Sequence, residues 1–121
     1  MLLPFAFFQA CFLTKHTLID GFQLSSITVT PDSGAIGAGF LSAQGTHWGY
    51  LMRLSPDDAF EWDMTYGIQG QNSFLEQAVG LSRRGFAAAG RMEKENPVLS
   101  KPFLVRTDND GIADPFVVDS L

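Results

Sequence analysis

The side chains able to do chemistry are few in this chain of 121 residues, and they are scattered. The imidazoles are His16 and His47, 31 residues apart (47 minus 16), with no carboxylate at a motif spacing, so each is expected as a surface or strand histidine rather than a ligand. Asp108-Asn109-Asp110-Gly111 begins like a calcium loop but lacks the bidentate Glu at the twelfth position. A β-turn in which Asp and Asn cap their own backbone accounts for it better. Glu61, Asp63, Asp57 and Asp58 offer carboxylates for general acid and base work, yet their clustering around Trp62 fits solvated strand and turn charges. No Ser is placed beside a His in a nucleophile motif, and neither glycine cluster opens a helix that would hold a phosphate. Trp48, Tyr50, Trp62 and Tyr66 are candidates for a sugar-binding face, but aromatic residues dominate sheet cores, and packing is the expectation. No catalytic residue, metal ligand or cofactor is expected.

Charge narrows the partners. Eight basic residues stand against thirteen acidic ones, a net −5, and the basic residues cluster only at Arg83-Arg84, which argues against a phosphate-tracking surface and hence against nucleic acid. The single Cys11 makes no intramolecular disulfide and, with two distant histidines, matches no zinc spacing. Residues 1–13, MLLPFAFFQACFL, are apolar like the hydrophobic region of a secretory signal. No Lys or Arg precedes the run, no small-x-small cleavage pattern follows it, and it is too short to cross a bilayer. No transmembrane segment is expected; the run reads as an apolar strand or a start inside a longer open frame, with a signal peptide as the second reading.

Elements able to position any site emerge from an internal repeat. Thr30-Pro-Asp-Ser-Gly34-Ala-Ile-Gly-Ala-Gly39 aligns with Leu81-Ser-Arg-Arg-Gly85-Phe-Ala-Ala-Ala-Gly90 at an offset of 51 (85 minus 34). Tyr50-Leu-Met-Arg53-Leu-Ser-Pro-Asp-Asp58 aligns with Phe103-Leu-Val-Arg106-Thr-Asp-Asn-Asp-Gly111 at an offset of 53 (106 minus 53). Two extra residues therefore fall in the second intervening loop. A period near fifty with Gly-bearing turns suits blade architectures, in which one sheet cannot bury both faces without a neighbour.

Within the first unit, strands are expected over Ser25–Thr30, Ala35–Leu41, His47–Leu54 and Ala59–Tyr66. Pro31-Asp32-Ser33-Gly34 is a turn in which Gly34 is expected to supply a positive φ. In β alternation Trp48, Tyr50, Met52 and Leu54 share one face. The second unit gives Phe74–Leu81, Gly85–Met92, Pro102–Thr107 and Ile112–Val118, with Glu93–Ser100 as a polar loop. No helix is expected. Gly37 to Gly39 and Ala87 to Gly90 are poor in large side chains, which permits close approach of another backbone.

These segments resemble a known family. Arg53-Leu-Ser-Pro-Asp-Asp-Ala-Phe-Glu-Trp62-Asp-Met-Thr-Tyr-Gly67 resembles the bacterial tandem-repeat propeller blade that runs Lys-Thr/Leu-Asp-Ser-Asn-Gly-Asn-Val-Leu-Trp, then a Lys-Thr-Tyr-Gly-Gly-like tail. Arg53 takes the basic position, Asp58 the turn Gly, Trp62 the Trp and Thr65-Tyr66-Gly67 the tail; in the second unit Gly111 keeps the turn but Pro115 replaces the Trp. Pro31 to Gly39 is similar to the family's Ser-Asp-Gly-Gly-Tyr-Ile-Val-Ala-Gly. Ser55-x-Asp57-x-Ala59-x-x-Trp62 is more loosely similar to the Asp-box hairpin of sialidase-like propellers, a structural turn in which the Asp side chain satisfies amides.

The expectation is thus an all-β chain of two tandem four-stranded antiparallel blades of β-propeller type, forming a partial propeller. Residues 1–23 form the apolar segment and the tail of a preceding unit, 24–72 the first repeat and 73–121 the second. Gly34, Gly39, Arg53, Trp62, Gly85, Gly90, Arg106 and Gly111 are its structural repeat positions. Two blades do not close a ring, so further blades or copies of the chain are expected as partners, beside a carbohydrate or protein ligand. The resemblance implies an extracytoplasmic or cell-surface protein. A non-enzymatic scaffold or binding module, contacting ligand through loops such as Ser42–Thr46 and Ile68–Asn72, is the leading functional reading. Its alternative is a piece of a propeller enzyme, sialidase-like or quinoprotein-like, completed by other blades.

Overall fold

Alternating β-branched and aromatic residues, broken by Gly, Pro, Asn and Asp, leave little for the backbone but hairpins. A computed structural model describes residues 22–95 and 98–113. In it, β1 (Phe22–Val29), β2 (Ala35–Ala43), β3 (Thr46–Leu54) and β4 (Phe60–Tyr66) form one antiparallel sheet in chain order. The strands β5 (Asn72–Gly80), β6 (Phe86–Lys94) and β7 (Leu99–Thr107) form a second. The chain is therefore all-β, with no helix among the described residues.

Most strand ends move by one to three residues from the expectation, β1 starting at Phe22 rather than Ser25, and two differences matter most. Glu93 pairs with Ser100 and Lys94 with Leu99, so strand takes both ends of the segment expected to be a polar loop. A solvated hairpin tip needs no apolar side chains to keep its ladder, which is why composition misleads there. Of the strand expected over Ile112–Val118, Ala113 makes an antiparallel bridge to Thr107, and the residues beyond it lie outside the described ones.

Pairing in the two sheets follows one register. In β1 and β2 a bulge falls between Leu24 and Ser26, opposite Gly39 and Ala38; in β5 and β6 it falls between Leu75 and Gln77, opposite Gly90 and Ala89. A Cβ on Gly39 would lie 1.9 Å from the Gln23 carbonyl oxygen, and one on Gly90 1.8 Å from that of Phe74. Each bulge thus closes on a glycine that no other residue replaces. Later the correspondence moves by two residues: Ser55 N donates to the Ala59 carbonyl and Asp108 N to that of Ile112. Asp58 (φ 64°) and Gly111 (φ 82°) hold the same left-handed place in those turns.

One turn is built otherwise than expected. Ser33, at φ 73°, carries the positive φ between β1 and β2, not Gly34. Gly34 is required for space instead, since a Cβ there would lie 2.5 Å from the Leu54 carbonyl oxygen.

The sheets stack through one cluster. Ile36, Ala38, Leu51 and Tyr66 of the first sheet pack on Leu75, Ala78, Phe86, Ala88, Met92, Phe103 and Val105 of the second. A separate cluster of Ala35, Leu41, Tyr50, Met52 and Leu54 lies on the first sheet's other face, as alternation along β3 requires. These five occupy the same register positions as Phe86, Met92, Phe103, Val105 and Thr107. The first sheet therefore turns toward its neighbour the face that the second turns away: Ile36, Ala38, Leu51 and Arg53 correspond to Ala87, Ala89, Leu104 and Arg106. The stacking is head to tail, not face to face.

Candidate binding cleft at the turn end of the sheets

The residue that organises this end is Arg53, near the end of β3, where alternation aims it between the sheets. Its side chain is 7% exposed. Nη1 donates to Thr30 Oγ1 at 2.8 Å, Nε to Glu61 Oε1 at 3.3 Å, and Nη2 pairs with Asp32 Oδ2. Its guanidinium carbon stands 5.2 Å from the centroid of the Phe86 ring on the second sheet. A planar cation with five donors fits such a site because it satisfies two carboxylates and a hydroxyl while lying on an aromatic face.

Asp32 belongs to the turn after β1. The Thr30 hydroxyl (2.6 Å), the Arg53 guanidinium and the Gly34 amide (3.0 Å) all donate to its carboxylate and hold its pKa down at about 2. It is fixed as an ion, which suits a structural anchor and not a proton carrier.

The turn after β7 closes the other side. Asp108 Oδ1 accepts from Asp110 N and Ile112 N, both at 2.9 Å, the Asx-type turn expected from Asp-Asn-Asp-Gly. In the corresponding turn after β3, Ser55 Oγ accepts from Asp57 N and Ala59 N at 3.2 Å, so Ser55 does the work assigned to Asp57 by the Asp-box resemblance. The first sheet grips the Asp108 turn: Trp62 Nε1 donates to the Asn109 carbonyl at 2.9 Å and the Tyr66 hydroxyl to that of Gly111 at 2.6 Å. Gly85 N donates to Asn109 Oδ1 at 2.7 Å. Between these turns lies a cleft of about 410 Å³, lined among others by Asp32, Glu61, Arg83, Arg84, Asn109 and Asp110. Charges of both signs line it.

At the opposite end, the loops Ser42–Thr46 and Ile68–Asn72 do meet. Thr46 Oγ1 accepts from Gln69 Nε2 at 3.1 Å and Gly70 N at 3.4 Å, while His47 N donates to Asn72 Oδ1 at 2.9 Å. They are knitted to each other, and the buried Ser73 Oγ and Gln71 Oε1 beside them have no protein partner. Sequence spacing missed one pair there: Ser42 Oγ lies 2.6 Å from His47 Nδ1, because the two are cross-strand partners in the β2–β3 hairpin. The His47 ring packs against Phe40 and Phe74, each 5.3 Å away between centroids, as a strand histidine does. His16 and Cys11 lie outside the described residues, and among those described no group of three His, Cys, Asp or Glu is placed to hold a metal.

The four aromatic candidates do not form one platform. Trp62 and Tyr66 pack between the sheets, whereas Tyr50 is buried in the other cluster and donates to Asp63 Oδ2 at 2.7 Å. Of the eight repeat positions, Arg53 and Trp62 meet the second unit at the cleft, beside Gly34, Gly85 and Gly111; Gly39 and Gly90 sit at the bulges, and Arg106 is exposed. No helix among the described residues is long and apolar enough to cross a membrane. Comparison with family models, curated proteins and solved structures gives no match.

Proposed function

We propose that the chain is a non-enzymatic scaffold or binding module made of two tandem blade-like units of the propeller type. The observation that carries this reading is the head-to-tail stacking, in which matching residues of the two sheets face the same way. A translationally repeated sheet does this, whereas the two sheets of a β-sandwich turn their inner faces toward each other. Ligand contact falls to the cleft between the turns. Arg83 and Arg84 line it, and one of its carboxylates, Asp32, is locked to Arg53. A protein surface or a charged carbohydrate suits a shallow cleft of mixed sign.

The test is a binding panel of immobilised glycans and of acidic and basic peptides, run beside turnover of chromogenic glycosides. Retention of one ligand class, weakened about tenfold in the Arg83→Glu/Arg84→Glu double variant at unchanged melting temperature, supports the proposal. Glycoside turnover, or retention indifferent to the double variant, contradicts it.

A further inference from the structure

The second sheet's outer face, turned away from the first sheet, carries apolar side chains open to solvent. Leu104 is 50% and Val79 44% exposed, whereas Leu51, the counterpart of Leu104, is fully buried. Beside Leu104 lies an apolar hollow of about 200 Å³, formed with Val79, Ala87 and Ala89. The face thus carries a protruding branched side chain and a shallow recess bounded by alanines. Arg91, paired with Glu76 and Glu93, supplies charges of both signs at the rim.

We infer that this face binds a second copy of the chain across a two-fold axis, the Leu104 side chain of each copy entering the alanine-lined hollow of the other. The inference rests on the stacked-unit reading, because that reading defines which face remains open. A copy cannot satisfy this face head to tail. The surface it would need is the first sheet's other face, and there Tyr50 and Met52 are each 1% exposed within the same chain. What a copy does offer is the same face, and a patch with knob and recess side by side is complementary to itself under two-fold rotation. The mixed rim charges allow opposite signs to meet across the axis.

Sedimentation equilibrium of the full chain from micromolar to millimolar concentration tests the inference, with Leu104→Asp and Ala89→Glu as variants. The expected result is a monomer–dimer equilibrium that stops at the dimer and is weakened at least about tenfold by either variant. Thermal unfolding by circular dichroism, at a concentration where all are monomeric, should be unchanged, since both sites are exposed. Retention on the glycan and peptide panel should also survive both substitutions, so failure here and failure of the binding proposal are separate results. A wild-type monomer throughout, a dimer indifferent to both variants, or an open series of larger assemblies overturns the inference.

Discussion

The two sheets share a register and a set of turns, yet their outer faces have opposite fates. On the first, Ala35, Leu41, Tyr50, Met52 and Leu54 form a buried cluster. On the second, Val79, Ala89 and Leu104 are exposed. Sharing a hairpin register therefore does not fix the burial of the residues in it. Side-chain size follows that difference at one position, where Ile36 of the first sheet corresponds to Ala87 of the second; Ala38 and Ala89, and Leu51 and Leu104, are the same residue types.

The most severe way to break the likeness between the sheets is at the bulge glycines. Gly39→Val and Gly90→Val each drive a side chain into a strand carbonyl, and each should cost at least about 4 kcal/mol, seen as loss of the folded circular-dichroism spectrum. If only one were lethal, the two bulges would not be equivalent.

The arginine pair sharpens the contrast instead. Arg53→Met removes the partner of Asp32, Glu61 and Thr30 and should destabilise by about 2 kcal/mol in urea titrations, after allowance for the solvent that screens the half-exposed carboxylates. Arg106→Met, at the matching but exposed position, should stay within about 0.5 kcal/mol.

How much of this was legible depended on which force set each feature. Turn chemistry is local, so Pro31 to Gly34, Asp57-Asp58 and Asp108 to Gly111 mark their turns in the sequence alone. The two-residue insertion was legible too: the β2–β3 hairpin turns on Gln44 and Gly45, whereas Lys94 and Leu99 close a longer β6–β7 tip. The bulges at Ser25 and Glu76 carry no signal, because both are polar residues in strands where polar residues are ordinary. The cleft was hidden for a different reason. Arg53 reaches Asp32 across 21 positions and Trp62 reaches Asn109 across 47, and no pattern within either segment announces a partner so distant.

Smaller effects come from pH. Asp32 has its pKa lowered from 3.8 to about 2, so its contribution is present above pH 4 and lost as pH falls toward 2. Melting temperature should drop across that window in the wild type and less so in Asp32→Asn. Tyr50 and Tyr66 are raised well above the ordinary 10.0, chiefly by burial and then by Asp63 and Asp108 respectively. They are the chain's two tyrosines, so phenolate absorbance should stay silent past pH 10 and rise only with unfolding. Early ionisation of one tyrosine would show that its sheet face is more open than described.

The most direct test of head-to-tail stacking is the pair Leu51→Ala and Leu104→Ala, the same residue type at matching register positions of β3 and β7. Measured by urea unfolding at concentrations where the chain is monomeric, Leu51→Ala should cost about 2–5 kcal/mol, as a fully buried leucine does. Leu104→Ala should change stability by less than about 0.5 kcal/mol. Equal costs would mean that the two sheets bury the same face, and the stacked-unit account would fall.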